Sequence, residues 1–238
     1  MENYSDIINI IKNLSDKDIC FVLYGLALGD GSYQNKFIKI SHTLKQKFYC
    51  KWLHKIFNER LKVTYKDSYL KKTTFGTFEY TDSHIKVPRP DLFENCNIVN
   101  TKNKKIISDY VLDNISPLGL LFWYLDDGQL HVSDKKYKTN RFAYLNTQSF
   151  TYDENVKIAN MLKKRFDINT RLHKNTSSIY KDRVYYRIYF NATEFKKFYD
   201  VVRDYLQFIP KEFYYKFNMK YSSRLQNDKN VSELYNLS

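Results

Sequence analysis

Two short apolar stretches constrain this chain more than anything else in it. Leu23 to Gly31 reads LYGLALGDG, and Leu120 to Gly128 reads LLFWYLDDG. Each stays apolar for most of its length and then delivers a carboxylate beside a glycine. Neither leaves a polar face, so as helices both must be buried on nearly every side. Asp30 and Asp127 stand slightly less than half of the 238-residue chain apart, which predicts a duplicated module. Two such helices packed along a seam would carry their acids to one end, and a doubly acidic point is where divalent cations bind.

The remaining patterns repeat in order around the two stretches. Ile7, Ile8, Ile10, Ile11 and Leu14 recur at helical spacing behind Ser5, a lead-in helix. Ser15 or Asp16 caps the first apolar helix, expected from about Asp18 to Leu28 with a stop at Gly29 or Gly31. Phe37 to Ser41 alternates as a strand, and Leu44 to Leu61 has the spacing of an amphipathic helix. Lys62 to Tyr69 and Thr74 to Thr81 read as a hairpin turning over Leu70 to Thr73. In the second half Pro117 opens the apolar helix at the position that suits proline. Arg141 to Gln148 reads as a strand, and Thr151 with Glu154 as a capping box for a helix to Phe166. Thr170 to Lys174 and Arg183 to Phe190 form another hairpin, and Thr193 starts a helix to Leu206. We expect an α+β fold with a first half over residues 1–96, a polar linker over 97–112 and a second half over 113–238.

At this point the chain resembles the LAGLIDADG homing endonucleases in their two-motif monomeric form. Leu23, Gly25, Leu26, Gly29, Asp30 and Gly31 stand in the signature's positions in the first copy. Leu120, Asp127 and Gly128 do so in the second, with Phe122 where the pattern has its first glycine and Asp126 in place of the small residue before the acid. Leu145 to Thr151, LNTQSFT, and the YLDDG ending are similar to the yeast mitochondrial intron endonuclease of this family. The resemblance implies a pseudo-twofold fold of two αββαββα-type halves. They pack through the motif helices, and curved antiparallel sheets form a DNA-binding saddle. It implies a site-specific double-strand DNA endonuclease with a long asymmetric target, acting as a monomer and encoded by a mobile intron or a free-standing mobile gene. The alternative on the same fold is an intron-RNA maturase or a DNA-binding regulator that has abandoned cleavage.

Composition agrees with a polyanion partner. The formal charge is +13, from 39 Lys and Arg against 26 Asp and Glu, so the average field attracts nucleic acid. The abundance of Lys, Asn, Ile and Tyr would also follow from AT-rich coding, and charge alone does not decide. Cys20, Cys50 and Cys96 lack metal-ligand spacing. No apolar run is long enough for a signal core or membrane span. We expect no membrane partner and a cytoplasmic or organelle-matrix location in a reducing compartment. A nucleotide-binding glycine loop and a nucleophile constellation are absent from the sequence, which disfavours an ordinary metabolic enzyme.

Phosphodiester hydrolysis needs an activated water, a counter-charge at phosphorus and help for the departing 3′-oxygen, all of which magnesium can supply. Mg2+ takes one or two carboxylates and keeps several waters. Asp30 and Asp127 fit that demand, and Mn2+ should substitute. Backbone carbonyls at Gly29 and Asp126 could add ligands, while the Asp126 carboxylate is either a solvated neighbour or a supporting ligand. The resemblance makes Asp30 and Asp127 the metal-binding catalytic pair and adds a basic residue near each scissile phosphate. Lys105, with Lys104 as its alternative, and Lys216 match those places. The hairpins are the expected readers, because a two-stranded ribbon fits the major groove. They carry Lys62, Thr64, Lys66, Ser68, Lys71, Lys72 and Thr74 in the first half, and Arg171, His173, Lys174, Arg183, Tyr185 and Arg187 in the second; Arg141 lies on the strand before the second hairpin. Which alternating set faces DNA is open at this point. His42 and His54 are expected in core or solvent.

Overall fold

A computed structural model describes residues 4–94, 105–135, 138–176 and 184–217. Cys96, Lys104 and Arg183 lie outside the described residues, as does the first half of the expected linker. Two compact units divide the chain, Met1–Asp126 and Asp127–Ser238.

The first unit opens with α1 (Ser5–Asn13) and the first motif helix, α2 (Asp16–Leu28). Ser15 caps α2 by accepting the amide of Asp18 at 3.1 Å. From Ile19 to Leu28 every residue except Phe21 is buried, as expected for a helix without a polar side. Strands β1 (Ser32–Gln34) and β2 (Phe37–Thr43), helix α3 (Lys47–Phe57), and the long strands β3 (Val63–Thr73) and β4 (Gly76–Lys86) follow. The four strands form an antiparallel sheet in the order β1-β2-β4-β3. Short helices α4 (Asp91–Glu94) and α5 (Asp109–Asn114) lead to the second motif helix, α6 (Pro117–Asp127). Every residue of α6 from Leu118 to Leu125 is buried.

Contact between the motif helices explains why α6 belongs with the first unit, whereas the sequence reading placed it in the second half. A Cβ on Gly25 would stand 1.7 Å from the Gly119 carbonyl oxygen, and one on Gly119 would stand 2.7 Å from that of Phe21. Backbone therefore meets backbone at the seam. The approach uses Gly119, one turn before Phe122. Phe122 instead places its ring 5.5 Å from Trp52 and 5.8 Å from Phe57 on α3.

In the second unit, β5 (Gly128–Lys135) and β6 (Lys138–Leu145) precede α7 (Tyr152–Phe166), then come β7 (Arg171–Thr176), β8 (Val184–Asn191) and α8 (Ala192–Leu206). A 3-10 turn over Lys211–Phe217 packs on β5. The sheet order β5-β6-β8-β7 repeats that of the first unit. The Thr151–Glu154 capping box forms, with both reciprocal hydrogen bonds present. Behind it Asn155, fully buried, donates to the carbonyls of Thr147, Phe150 and Thr151 at 2.9–3.3 Å. That network ties the NTQSFT segment to the helix it precedes.

Strand reading from sequence fell short at two kinds of place. The strands directly after the motif helices, β1 and β5, are implied by the αββαββα layout of the resemblance but carry no pattern of their own in the sequence. The first hairpin is longer than expected, turning at Thr74 and Phe75 where the sequence suggested Leu70 to Thr73. Its far part, from Leu70 to Phe78, is exposed apart from Thr73, so no core face imposes alternation there. A β-bulge also interrupts the period, since Lys66 pairs with Asp82 but Tyr69 with Tyr80. Two residues, Asp67 and Ser68, thus oppose Thr81, and the strand's faces exchange beyond that point.

Candidate active site and nucleic-acid interface

Asp30 follows the end of α2 and is exposed. Its amide donates to Asp126 Oδ2 at 2.9 Å. That carboxylate lies against Gly29, where a Cβ would come within 2.2 Å of the same oxygen. Glycine is thus required at 29 because Asp126 reaches across the seam. From the sheet, β2 contributes His42, whose Nε2 lies 3.9 Å from Asp30 Oδ2. His42 shares the buried side of the strand with Ile38 and Ile40, and it is 8% exposed. From α3 comes Tyr49, fully buried, its hydroxyl within reach of the charges of Asp126 and Asp30. Burial first, then the charge of Asp126 and behind it that of Asp30, hold the Tyr49 hydroxyl well above its ordinary value. Tyr49 is therefore neutral beside the acids.

Lys105 arrives at the same end of α2. Its ammonium donates to the Gly29 carbonyl and, at 3.5 Å, to that of Leu28. A cation at a helix C-terminus meets the negative end of the helix dipole and otherwise unsatisfied carbonyls. Asp30, Gly29, Asp126 and Lys105 are thus brought together within the first unit, joined by His42 and Tyr49, which sequence reasoning did not assign to the site. The one sequence signal for His42 was an imidazole third in an alternating series begun by two isoleucines. Asp127 ends α6 as the first residue of the second unit, half-buried, with its carbonyl accepting the Asn146 amide at 2.9 Å. Lys216 is buried in the 3-10 turn that packs on β5, the strand that begins right after Asp127, and its ammonium lies 5.8 Å from the Phe213 ring centre.

The donor set fits a divalent cation. Ligand atoms of Asp30, His42 and Asp126 all lie within 4.8 Å of one another, two carboxylates and an imidazole at one point. Magnesium and manganese favour the oxygens, and manganese also accepts imidazole.

Each sheet presents an open face away from its packed helices. In the first unit strand register places Lys39 and Ser41, Asp82 and His84, Thr64 and Lys66 there, joined beyond the bulge by Tyr69, Tyr80 and Lys71. Lys62 precedes β3, Ser68 sits in the bulge, Lys72 falls on the other face, and Thr74 is at the turn. In the second unit Arg171, His173, Tyr185 and Arg187 share the open face with His131, Phe142, Tyr144 and Tyr189. Arg141 and Lys174 have the opposite parity. Here the Arg187 guanidinium lies 3.6 Å from the Tyr144 ring centre, and His173 stacks on Tyr189 at 4.1 Å. Burial first, then the charges of Arg187 and Arg171, push the His173 imidazole below its ordinary value, so it is neutral at pH 7.

A model of the LAGLIDADG DNA endonuclease family matches residues 20–198. The chain belongs to that family. As a LAGLIDADG protein it is a DNA endonuclease, of a class that works with divalent metal. Its relatives include the "Probable intron-encoded DNA endonuclease 3" of Mycosarcoma maydis, 27% identical over 140 residues that make up 59% of this chain and 90% of that protein. The "Probable intron-encoded endonuclease 1" of Wickerhamomyces canadensis is 35% identical over 92 residues, 37% of this chain and 39% of that one. The "Cytochrome b mRNA maturase bI2" of Debaryomyces hansenii is 25% identical over 189 residues, 71% of this chain and 64% of that one. Among solved structures, the homing endonuclease I-WcaI bound to its DNA recognition sequence shares the LAGLIDADG fold with a TM-score of 0.66 at 21% identity. That match covers 92% of this chain and all of that one. No helix among the described residues is long and apolar enough to cross a membrane.

Proposed function

We propose that this LAGLIDADG protein cuts both strands of one long, asymmetric DNA site as a monomer. Asp30 and Asp127 hold divalent metal, with magnesium as the working ion and manganese as a substitute. The observation that carries the reading is Asp30, an exposed carboxylate anchored through its own amide at the end of a backbone-to-backbone helix seam. Side chains that serve only the core are not exposed in this way. The metal, when bound, supplies an activated water and a counter-charge at phosphorus.

The protein's own groups prepare that point. Asp126 fixes the Asp30 backbone, the neutral Tyr49 lies buried beside the acids, and His42 adds a nitrogen donor on the sheet side. Lys105 and Lys216 are the cations that stabilise charge on the reacting phosphates. The Gly29 and Asp126 carbonyls are further oxygen ligands in this reading. DNA lies on the open sheet faces, where the two units differ at almost every position, so the target is not palindromic. Lys62, Ser68, Lys72, Thr74, Arg141 and Lys174, outside those faces, serve phosphates at the margins, and Arg183 is proposed as a reader from sequence alone.

Incubation of the purified protein with Mg2+ and a library of cleavable duplexes tests the proposal. Staggered double-strand cuts with 3′ extensions are expected, abolished by Asp30→Asn and separately by Asp127→Asn. Full cutting by either variant would refute the assignment.

A further inference from the structure

The open face of the first sheet carries an acid where a polyanion is to bind. Asp82 is 5% exposed, yet register places it among the open-face residues opposite Ser41. Its carboxylate accepts from Lys39 Nζ at 2.8 Å and from the Tyr69 hydroxyl at 2.7 Å, with His84 Nε2 at 3.4 Å. Ser41 completes the cluster, its hydroxyl 3.2 Å from that of Tyr69. The bulge builds this arrangement. By exchanging the faces of β3 it turns Tyr69, directly opposite Tyr80, onto the same side as Asp82. Lys66 then covers the Tyr69 ring at 4.4 Å and Lys71 the Tyr80 ring at 4.8 Å.

A buried acid costs desolvation, and here it also repels phosphate. A neutral residue would serve the sheet better if attraction were the only need. What a carboxylate with three donors provides is a fixed direction for each of them. Lys39 is 33% exposed in its side chain. With one of its three N–H donors committed and its charge compensated, it is a weak phosphate tether and a well-aimed pair of donors. The base edge with two adjacent acceptors is guanine, through O6 and N7 in the major groove. We infer that Asp82 is a positioning residue for sequence readout, holding Lys39 and Tyr69 so that Lys39 selects a guanine at one position of the target. This rests on the reading of the open faces as the DNA surface.

The test is selection of bound duplexes from a randomised pool in EDTA, which scores binding apart from cleavage, for the wild type, Asp82→Asn, Lys39→Gln and Tyr69→Phe. The wild type should enrich a motif containing a fixed guanine. Asp82→Asn and Lys39→Gln should each reduce preference at that same position about tenfold or more, the size of one good base contact, and leave the other positions intact. Tyr69→Phe should show a smaller loss there. On an unselected duplex, Asp82→Asn should bind more tightly at low salt, with a slope of log K against log salt steeper by about 0.9, because Lys39 becomes a free phosphate partner. An undiminished motif in Asp82→Asn, or a loss spread evenly over all positions with unchanged thermal melting, would overturn the inference. Should Asp82→Asn melt early, Lys39→Gln and Tyr69→Phe decide it alone. A wild type that enriches nothing would instead overturn the DNA-surface reading beneath it.

Discussion

Replacing Gly25 by alanine would drive a methyl group to within 1.7 Å of the Gly119 carbonyl oxygen. The helices would have to separate, and overpacking of this kind costs about 3 kcal/mol or more when backbone is the obstacle. Denaturant unfolding of Gly25→Ala should show it; a loss below about 1 kcal/mol would mean that the seam is looser than described. A second residue-scale prediction concerns acid. Burial pushes the Asp82 carboxyl up, but hydrogen bonds from Lys39, Ser41 and Tyr69 outweigh it and leave the group at about 2, below the ordinary 3.8. A depressed folded value stabilises the fold fully above about pH 4, and that contribution is lost as pH falls toward about 2. Melting temperatures followed across that window should fall more steeply for the wild type than for Asp82→Asn. Cys20 and Cys50 contribute nothing reactive, since burial pushes their thiols up to about 11 and about 12. At this scale Asp30 and Lys105 were legible because each lies at a fixed distance from a motif. His42 and Tyr49 were not, because neither stands in a motif position, and an imidazole or a phenol on the buried face of a strand or helix reads as core.

Elements were legible where burial imposes a period. Both motif helices, α7 and its capping box, and α8 follow directly from apolar spacing and caps. Thr151→Ala should therefore cost about 1 kcal/mol in equilibrium unfolding by removing the cap of α7, and a neutral outcome would contradict the box. The strands were harder. β1 has three residues, too short for a pattern, and the outer part of the first hairpin is held by its backbone ladder without a core to sort its side chains. Gly119 escaped notice for a related reason. The signature points to the position of Phe122, whereas the close approach is decided by which turn of α6 faces α2.

For the whole molecule, the charge of +13 predicts binding dominated by counterion release. Affinity for a duplex, measured by fluorescence anisotropy, should fall by about a thousandfold or more between 50 and 200 mM salt if six or more phosphates are neutralised. A flat response would argue against an electrostatic DNA surface. The contact boundary falls at Asp126 and Asp127, at the end of the second motif helix. Sequence assigns a helix to the module that follows it, while burial assigns it to the partner it touches.

The bulge in β3 has a bearing on how such a protein could change its target. Losing Asp67 or Ser68 would leave one residue opposite Thr81 and keep Tyr69 opposite Tyr80, so the outer ribbon would present the same side chains and lose the kink and added twist that the bulge gives it. The ribbon beyond it is exposed, so the core would register little of the change. A one-codon deletion can thus re-aim the whole outer ribbon without exchanging any of its side chains, a change that no point substitution on the same strand would make.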